Sequence, residues 1–201
     1  MPCSSELPIQ PQLDFGNKLK RFLDFSLAAI ALPFAVLLVI LLAVIVCLES
    51  PGPALFRQTR VGQNESMFTL FKVRTMYMST PDMPSHEARN SMVTRTGRFI
   101  RRFKLDELPQ IWNVLLGDMS FVGPRPCLPS QQDLREERRN NSVFSVRPGI
   151  TGLAQVIGVD MSSPQKLAEI DGDYVKCQSM LTDLRLIFAT IFGKGFGDAV
   201  K

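Results

Sequence analysis

The chain has 201 residues, 45% of them hydrophobic, with 23 Lys and Arg against 19 Asp and Glu and a formal net charge of +4. That length suits one domain with at most an appendage. The charge suits phosphate groups or a membrane surface, but it is too small to carry a nucleic-acid reading, and one Trp with two Tyr offers few stacking platforms.

The first dozen residues, with three prolines, read as a loose tail, which we extend over residues 1–17. Phe25 to Leu48 follows with 24 residues and no charge. At about 1.5 Å per residue such a helix reaches roughly 36 Å, enough to cross a bilayer. A cleaved signal peptide fits poorly, because the run is long and "CLESPGP" is no small-x-small site. Lys18, Lys20 and Arg21 before the run favour a cytoplasmic N-terminus. Arg57, Arg60, Lys72 and Arg74 after it favour the same side. Pro33 removes one backbone hydrogen bond inside the run and can bend it. A bent helix that enters and leaves on one face satisfies both flanks; an ordinary kinked single-pass anchor is the alternative. Cys3, Cys47, Cys127 and Cys177 show no metal-ligand spacing and read as free thiols in a reducing compartment.

"ESPGP", Glu49 to Pro53, ends the helix. "ALFRQTRVGQNESMFTLFKVRTM" then predicts two strands around Gly62-Gln63-Asn64. Tyr77 to Asn90 is a polar loop, and His86, the single histidine, reads as a loop residue there. Acid–base chemistry therefore falls to carboxylates. Val93 to Leu105 interleaves Phe99, Ile100 and Phe103 with five basic residues, a pattern for a helix on anionic lipid or one packed on a soluble core.

A helix is predicted to start near Leu105 or Asp106, with Pro109 in its first turn. Asp106 and Glu107 then sit where the helix dipole favours negative charge, and simple capping explains them. The functional alternative rests on their neighbours. Adjacent carboxylates among basic residues suggest a divalent cation with phosphate. "GPRP" holds Arg125 between two prolines, suited to bidentate phosphate binding. "VRPGITGLAQV" adds Arg147, with Gly149 and Gly152 able to bring backbone N–H groups to an anion. The last run, Met180 to Phe192, has helical spacing of apolar residues.

The motifs "KRFLDF", "SPGPALFRQTRVG", "LFKVRTM", "LDELPQIWNVLLGDMSFVGPRP" and "VRPGITGLAQV" resemble, in order over roughly residues 18–191, the bacterial sugar transferases, small monotopic polyprenyl-phosphate phosphoglycosyl transferases. The resemblance implies an α+β, predominantly helical fold. It has a re-entrant membrane helix over 18–49, a cytoplasmic catalytic domain over 50–192 with a small β-hairpin and amphipathic interfacial helices, and a tail from 193. It implies transfer of a sugar phosphate from a UDP-sugar to polyprenyl (undecaprenyl) phosphate at the cytoplasmic face of the bacterial inner membrane. UMP is released, and downstream glycosyltransferases are possible partners. Asp106 matches the family's nucleophile and would form a covalent phosphosugar intermediate. Glu107 matches the family's second acid and would assist, as a base or by placing the metal, and Mg²⁺ would be held through Asp106. Lys72 and Arg101 match basic site residues. Arg74, Arg125, Arg147, Gly149 and Gln155, within the same motifs, complete the expected substrate-binding set.

Two departures stand out. Leu32-Pro33 replaces the family's usual Ser-Pro break, and Ile157-Gly158-Val159 replaces a polar stretch after "LAQV", which bears on sugar preference. "Asp173-Tyr174" also replaces a more aromatic pair. A non-catalytic membrane scaffold and a membrane-bound metal-dependent phosphate-ester hydrolase are the competing readings.

Overall fold

The computed structural model describes residues 11–80 and 90–192. The expectations for residues 1–10, for His86 and for the tail after 192 fall outside that range.

One helix, α1 (Pro11–Glu49), runs from inside the expected tail to the Ser-Pro-Gly-Pro break. Its buried positions are Asp24, Ala28, Ala35, Leu42 and Val46. Steps of four and seven residues put these on one helical face. Ala28 and Ala35 let the helix approach Phe68, Leu70, Ile111, Val114 and Met119. Further along, Leu42 and Val46 pack with Val73 and Ile100. The other faces are bare: Ile30 is 70%, Phe34 74% and Leu48 83% exposed. Each such side chain gains about 1.5–3 kcal/mol on leaving water, so these faces suit an apolar environment. By length and composition it is able to cross a membrane. The helix is a single element through Pro33, so the expected kink does not interrupt it.

The chain turns after α1 at Gly52, whose φ of 119° is open to glycine at little cost. The predicted hairpin forms: β1 (Leu55–Val61) and β2 (Met67–Val73) pair antiparallel from Leu55↔Val73 to Val61↔Met67. Strand alternation puts Phe68, Leu70 and Lys72 on the inward face of β2. The predicted basic helix is α2 (Arg95–Arg102), with Gly97 and Ile100 buried and Phe99 and Phe103 exposed. A Cβ at Gly97 would sit 2.1 Å from the Thr75 carbonyl oxygen, so only glycine lets α2 lie this close to the strand end.

The helix expected from residue 105 starts later. Leu105–Glu107 is a 3-10 turn, and α3 spans Gln110–Leu116 behind Pro109. Lys104 precedes the turn with φ 56°, a left-handed residue that breaks α2 from the dyad. Two short strands, β3 (Ser120–Val122) and β4 (Gly149–Thr151), pair in parallel. Around them lie α4 (Gln132–Asn140), α5 (Leu153–Ile157), α6 (Pro164–Lys176) and α7 (Met180–Ile191). The C-terminal apolar run is thus α7, with Leu186 inward and Leu181, Phe188 and Ile191 exposed.

Candidate active site

Asp106 and Glu107 are 3% and 6% exposed. A pair kept only to cap a helix would face water and receive backbone N–H groups. Instead the start of α3 has no side-chain cap bond, and both carboxylates lie inside the protein. Burying a carboxylate costs several kcal/mol unless cations compensate it. Glu107 has two: its Oε1 accepts from Arg125 Nη2 at 2.9 Å and lies 3.5 Å from Lys72 Nζ. Lys104 is close enough to feel both charges. Burial pushes its ammonium pKa down, Glu107 pulls it up, and Arg125 pushes it down again.

Local structure explains how these groups meet. Lys72 follows Phe68 and Leu70 on the inward face of β2, so the strand carries a charge where its pattern asks for an apolar residue. Asn113 of α3, fully buried, matches the edge of that strand: its Oδ1 accepts from Phe71 N at 3.2 Å and its Nδ2 donates to Thr69 O at 2.7 Å. This pairing fixes α3, and the dyad before it, against Lys72. Arg101, in the last turn of α2, donates from Nε to Thr75 Oγ1 at 2.8 Å. Its Nη1 is buried without a hydrogen-bond partner, a donor suited to a phosphate oxygen.

Other expected residues are placed elsewhere. Arg74 donates to the carbonyls of Ser50 at 2.5 Å and Pro51 at 2.6 Å, tying β2 to the end of α1. Arg147 Nε donates to Gly117 O at 2.9 Å, at the far end of α3 from the dyad. Gly149 offers no open N–H to an anion, since its N–H goes to Pro124 O at 2.9 Å. The glycine is there for packing: a Cβ on it would lie 2.1 Å from Gly123 N. Gln155 donates to Ile150 O at 3.1 Å and keeps a buried Oε1 without a partner. Sequence reasoning missed Thr75, Asn113, Arg60 and Arg138 as parts of this architecture. The signal for Arg60 was available, because it shares the inward register of β1 with Gln58.

Among the described residues no group of three or more His, Cys, Asp or Glu could form a metal cage. Glu107 is held by Lys72 and Arg125, and Asp106 is the second buried carboxylate of the dyad. One carboxylate with substrate phosphates is a donor set that Mg²⁺ accepts. The arrangement is a buried acidic pair with Lys72 and Arg125 on Glu107, and such cations suit phosphate oxygens.

Comparison with known proteins gives the same direction. The model of a family described as "bacterial sugar transferase" matches residues 15–195. A Caulobacter vibrioides UDP-glucose:undecaprenyl-phosphate glucose-1-phosphate transferase is 40% identical over 183 residues, which cover 86% of this chain and 68% of that protein. An Aeromonas hydrophila UDP-N-acetylgalactosamine-undecaprenyl-phosphate N-acetylgalactosaminephosphotransferase is 38% identical over 86% of this chain. An Escherichia coli UDP-glucose:undecaprenyl-phosphate glucose-1-phosphate transferase is 37% identical over 94%. The matched segment spans only 43% and 44% of the Aeromonas and Escherichia proteins. Matched from residue 15 to 195, a stretch that holds the long apolar helix, the acidic pair and its cations, this chain belongs to the bacterial sugar transferase family.

Proposed function

We propose that the protein transfers a sugar phosphate from a UDP-sugar to polyprenyl phosphate, with UMP as the released product. The carrying observation is the buried dyad, in which Glu107 is held by Lys72 and Arg125 while Asp106 lies beside it. The relatives named above act on undecaprenyl phosphate with glucose or N-acetylgalactosamine donors at nearly equal identity. Family membership therefore supports a UDP-sugar donor class and leaves the sugar open.

In this reading a carboxylate oxygen of Asp106 attacks the sugar-bearing phosphorus. A P–O bond forms to Asp106, the bridging P–O bond breaks, and UMP leaves with that electron pair. An oxygen of polyprenyl phosphate then attacks the same phosphorus and frees the Asp106 carboxylate. Splitting one displacement into two predicts ping-pong kinetics. Lys72, Arg101 and Arg125 offset the charge that an anionic nucleophile meets at an anionic phosphate. Glu107 keeps Lys72 and Arg125 in place. Asp106 would hold Mg²⁺, which supplies charge neutralisation on the diphosphate when bound.

We place α1 in the membrane with both ends on the cytoplasmic face, and the domain over 50–192 on that same face. Both ends of α1 are held by one body, which supports this reading. Near the start, Lys20 pairs with Asp183 of α7, and Arg21 donates to Val114 O at 2.5 Å and Leu115 O at 2.9 Å. Phe121 N donates to Asp24 Oδ1 at 3.3 Å. At the end, Glu49 accepts from Arg95 N at 2.7 Å and Thr96 N at 3.0 Å. A hydrocarbon layer of about 30 Å cannot separate two ends that grip the same polar domain. The basic flanks support a cytoplasmic position for that domain.

The test is UMP release by purified protein in nanodiscs, with a panel of UDP-sugars, Mg²⁺ and undecaprenyl phosphate, beside Asp106→Asn. Release from one donor that requires Mg²⁺ and Asp106 is expected. Sugar phosphate released to water without the lipid acceptor would point to a hydrolase, and a folded protein inert with every donor would point to a scaffold.

A further inference from the structure

The loop that carries Arg125 has unusual support. Pro124 and Pro126 have no N–H, so the loop donates little to its surroundings. It accepts instead, through four successive carbonyls. Pro124 O takes Gly149 N at 2.9 Å, and Cys127 O takes Val61 N at 3.0 Å. Arg125 O takes Arg138 Nη1 at 2.8 Å, and Pro126 O takes Arg60 Nη1 at 3.0 Å. The donors come from β4, β1 and α4. Two of them are buried guanidiniums: Arg138 is 2% and Arg60 7% exposed.

Arg138 is itself held from α6. Its Nε and Nη2 donate to Asp171 Oδ2 at 3.1 Å and 2.6 Å, and Asp171 is 2% exposed. A buried ion pair is a poor way to add stability, because desolvation offsets its attraction and an apolar pair of similar volume often does as well. What an apolar pair lacks is the third N–H. The guanidinium fork serves Asp171 with two donors and the Arg125 carbonyl with another, a geometry that one ammonium cannot copy. The residue so gripped is the one whose own guanidinium meets Glu107.

We propose that the Arg138–Asp171 pair is a positioning device for the reaction: it fixes the Arg125 carbonyl so that the Arg125 guanidinium is presented to Glu107 and to the substrate's phosphates. The proposal rests on the reading of the dyad as a phosphoryl-transfer site. Arg138 and Asp171 reach the dyad through Arg125, whose carbonyl Arg138 holds and whose guanidinium meets Glu107. Displacing a group by this route commonly costs 10–100-fold in activity where outer-shell partners orient a working residue.

The experiment replaces the pair with apolar residues of similar volume, Arg138→Met with Asp171→Leu, in the full chain in nanodiscs. The unfolding midpoint is expected to fall only by what the Arg125 carbonyl loses with its donor, leaving the protein folded, while kcat/KM for UMP release falls roughly 10–100-fold. In an Arg125→Ala background the same double change is expected to cost less than about twofold, because there is no guanidinium left to aim. Parental activity in the double variant, or losses that multiply independently of Arg125→Ala, would overturn the proposal. If the double variant does not fold, Arg138→Lys keeps the charge beside Asp171 without the fork, and the same dependence on Arg125 is required of it. A parent protein that releases no UMP would defeat the functional reading alone. Positioning is then read from the Arg125 Nε–Hε nuclear magnetic resonance signal, which shifts in the variant if the clamp exists and stays put if it does not.

Discussion

Glu107 concentrates the electrostatics of the site on one oxygen, with Arg125 at 2.9 Å and Lys72 at 3.5 Å. Its amide counterpart keeps the size and removes the charge. Glu107→Gln then takes the carboxylate charge from buried Lys72 and part-exposed Arg125 and is expected to lower stability by about 1–3 kcal/mol. UMP release is expected to fall by about 10²–10³, the range for removing one preorganised charged group. Scanning unfolding and the release assay on one preparation check both. Lys72→Met is expected to unfold less readily than Glu107→Gln, since Arg125 still answers the carboxylate. The residue-level reading of the sequence singled out Lys72, Glu107 and Arg125, which the structure brings together, because they stand in motifs or break a pattern. It assigned to substrate Arg74, which ties the strand end to α1, because a short basic motif does not say which way each side chain turns. Arg138 stayed hidden for a similar reason. It lies in the charged helix "QDLREERRN", where one buried arginine looks like its solvated neighbours.

At the scale of elements, β2 and α3 form the frame of the site, and Asn113 joins them. Asn113→Ala removes bonds to Phe71 N and Thr69 O from a fully buried position and leaves strand groups without partners. A cost of about 2–4 kcal/mol is expected, with weaker activity because Lys72 and the dyad lose their common reference. Asn113→Asp should recover little, since it cannot donate to Thr69 O; chemical denaturation in detergent measures both. The hairpin tip offers a pH-dependent contrast. Glu65 has φ 56° and accepts from Arg139 at 2.6 Å and Arg135 at 2.8 Å. The hydrogen bonds from Arg139 and Arg135 lower its carboxyl from an ordinary 4.5 to about 2. A depressed folded value means the contribution is whole above about 4.5 and is lost as pH falls toward 2. The gap in unfolding midpoint between the parent and Glu65→Gln is therefore expected to be constant from pH 6 to 5 and to shrink between pH 4.5 and 2.5. The hairpin, α2 and α7 were legible because apolar periodicity and Gly-Pro breakers are local signals. The start of α3 was not, because the left-handed Lys104 and the 3-10 turn after it depend on burying the dyad.

On the scale of the whole molecule, the question is how one long apolar helix serves a water-facing body. Lys20, Asp183, Tyr174 and the Val122 carbonyl form a chain of polar contacts from α1 through α7 and α6 to β3, with Tyr174 OH 2.8 Å from Asp183 Oδ1 and 3.1 Å from Val122 O. Burial, then the charge of Asp183, pushes the Tyr174 phenol pKa well up, so it stays a donor throughout the physiological range. With Glu49 capping α2 at the other end, α1 is fastened twice to one domain. A single-pass anchor requires one of these fastenings to lie across the bilayer from the rest, and so to be broken. Cysteines introduced at Lys18 and Arg57, on a background with Cys3, Cys47, Cys127 and Cys177 changed to Ser, separate the two geometries. A membrane-impermeant maleimide is expected to label neither position in intact cells and both in inside-out vesicles. Labelling of Lys18→Cys alone, or of Arg57→Cys alone, from outside would mean that α1 crosses and that the contacts at its two ends do not coexist in the membrane. Asp183→Asn sharpens the comparison. If the two fastenings hold α1 to one face, weakening the first should lower activity and stability together without moving either label to the outside.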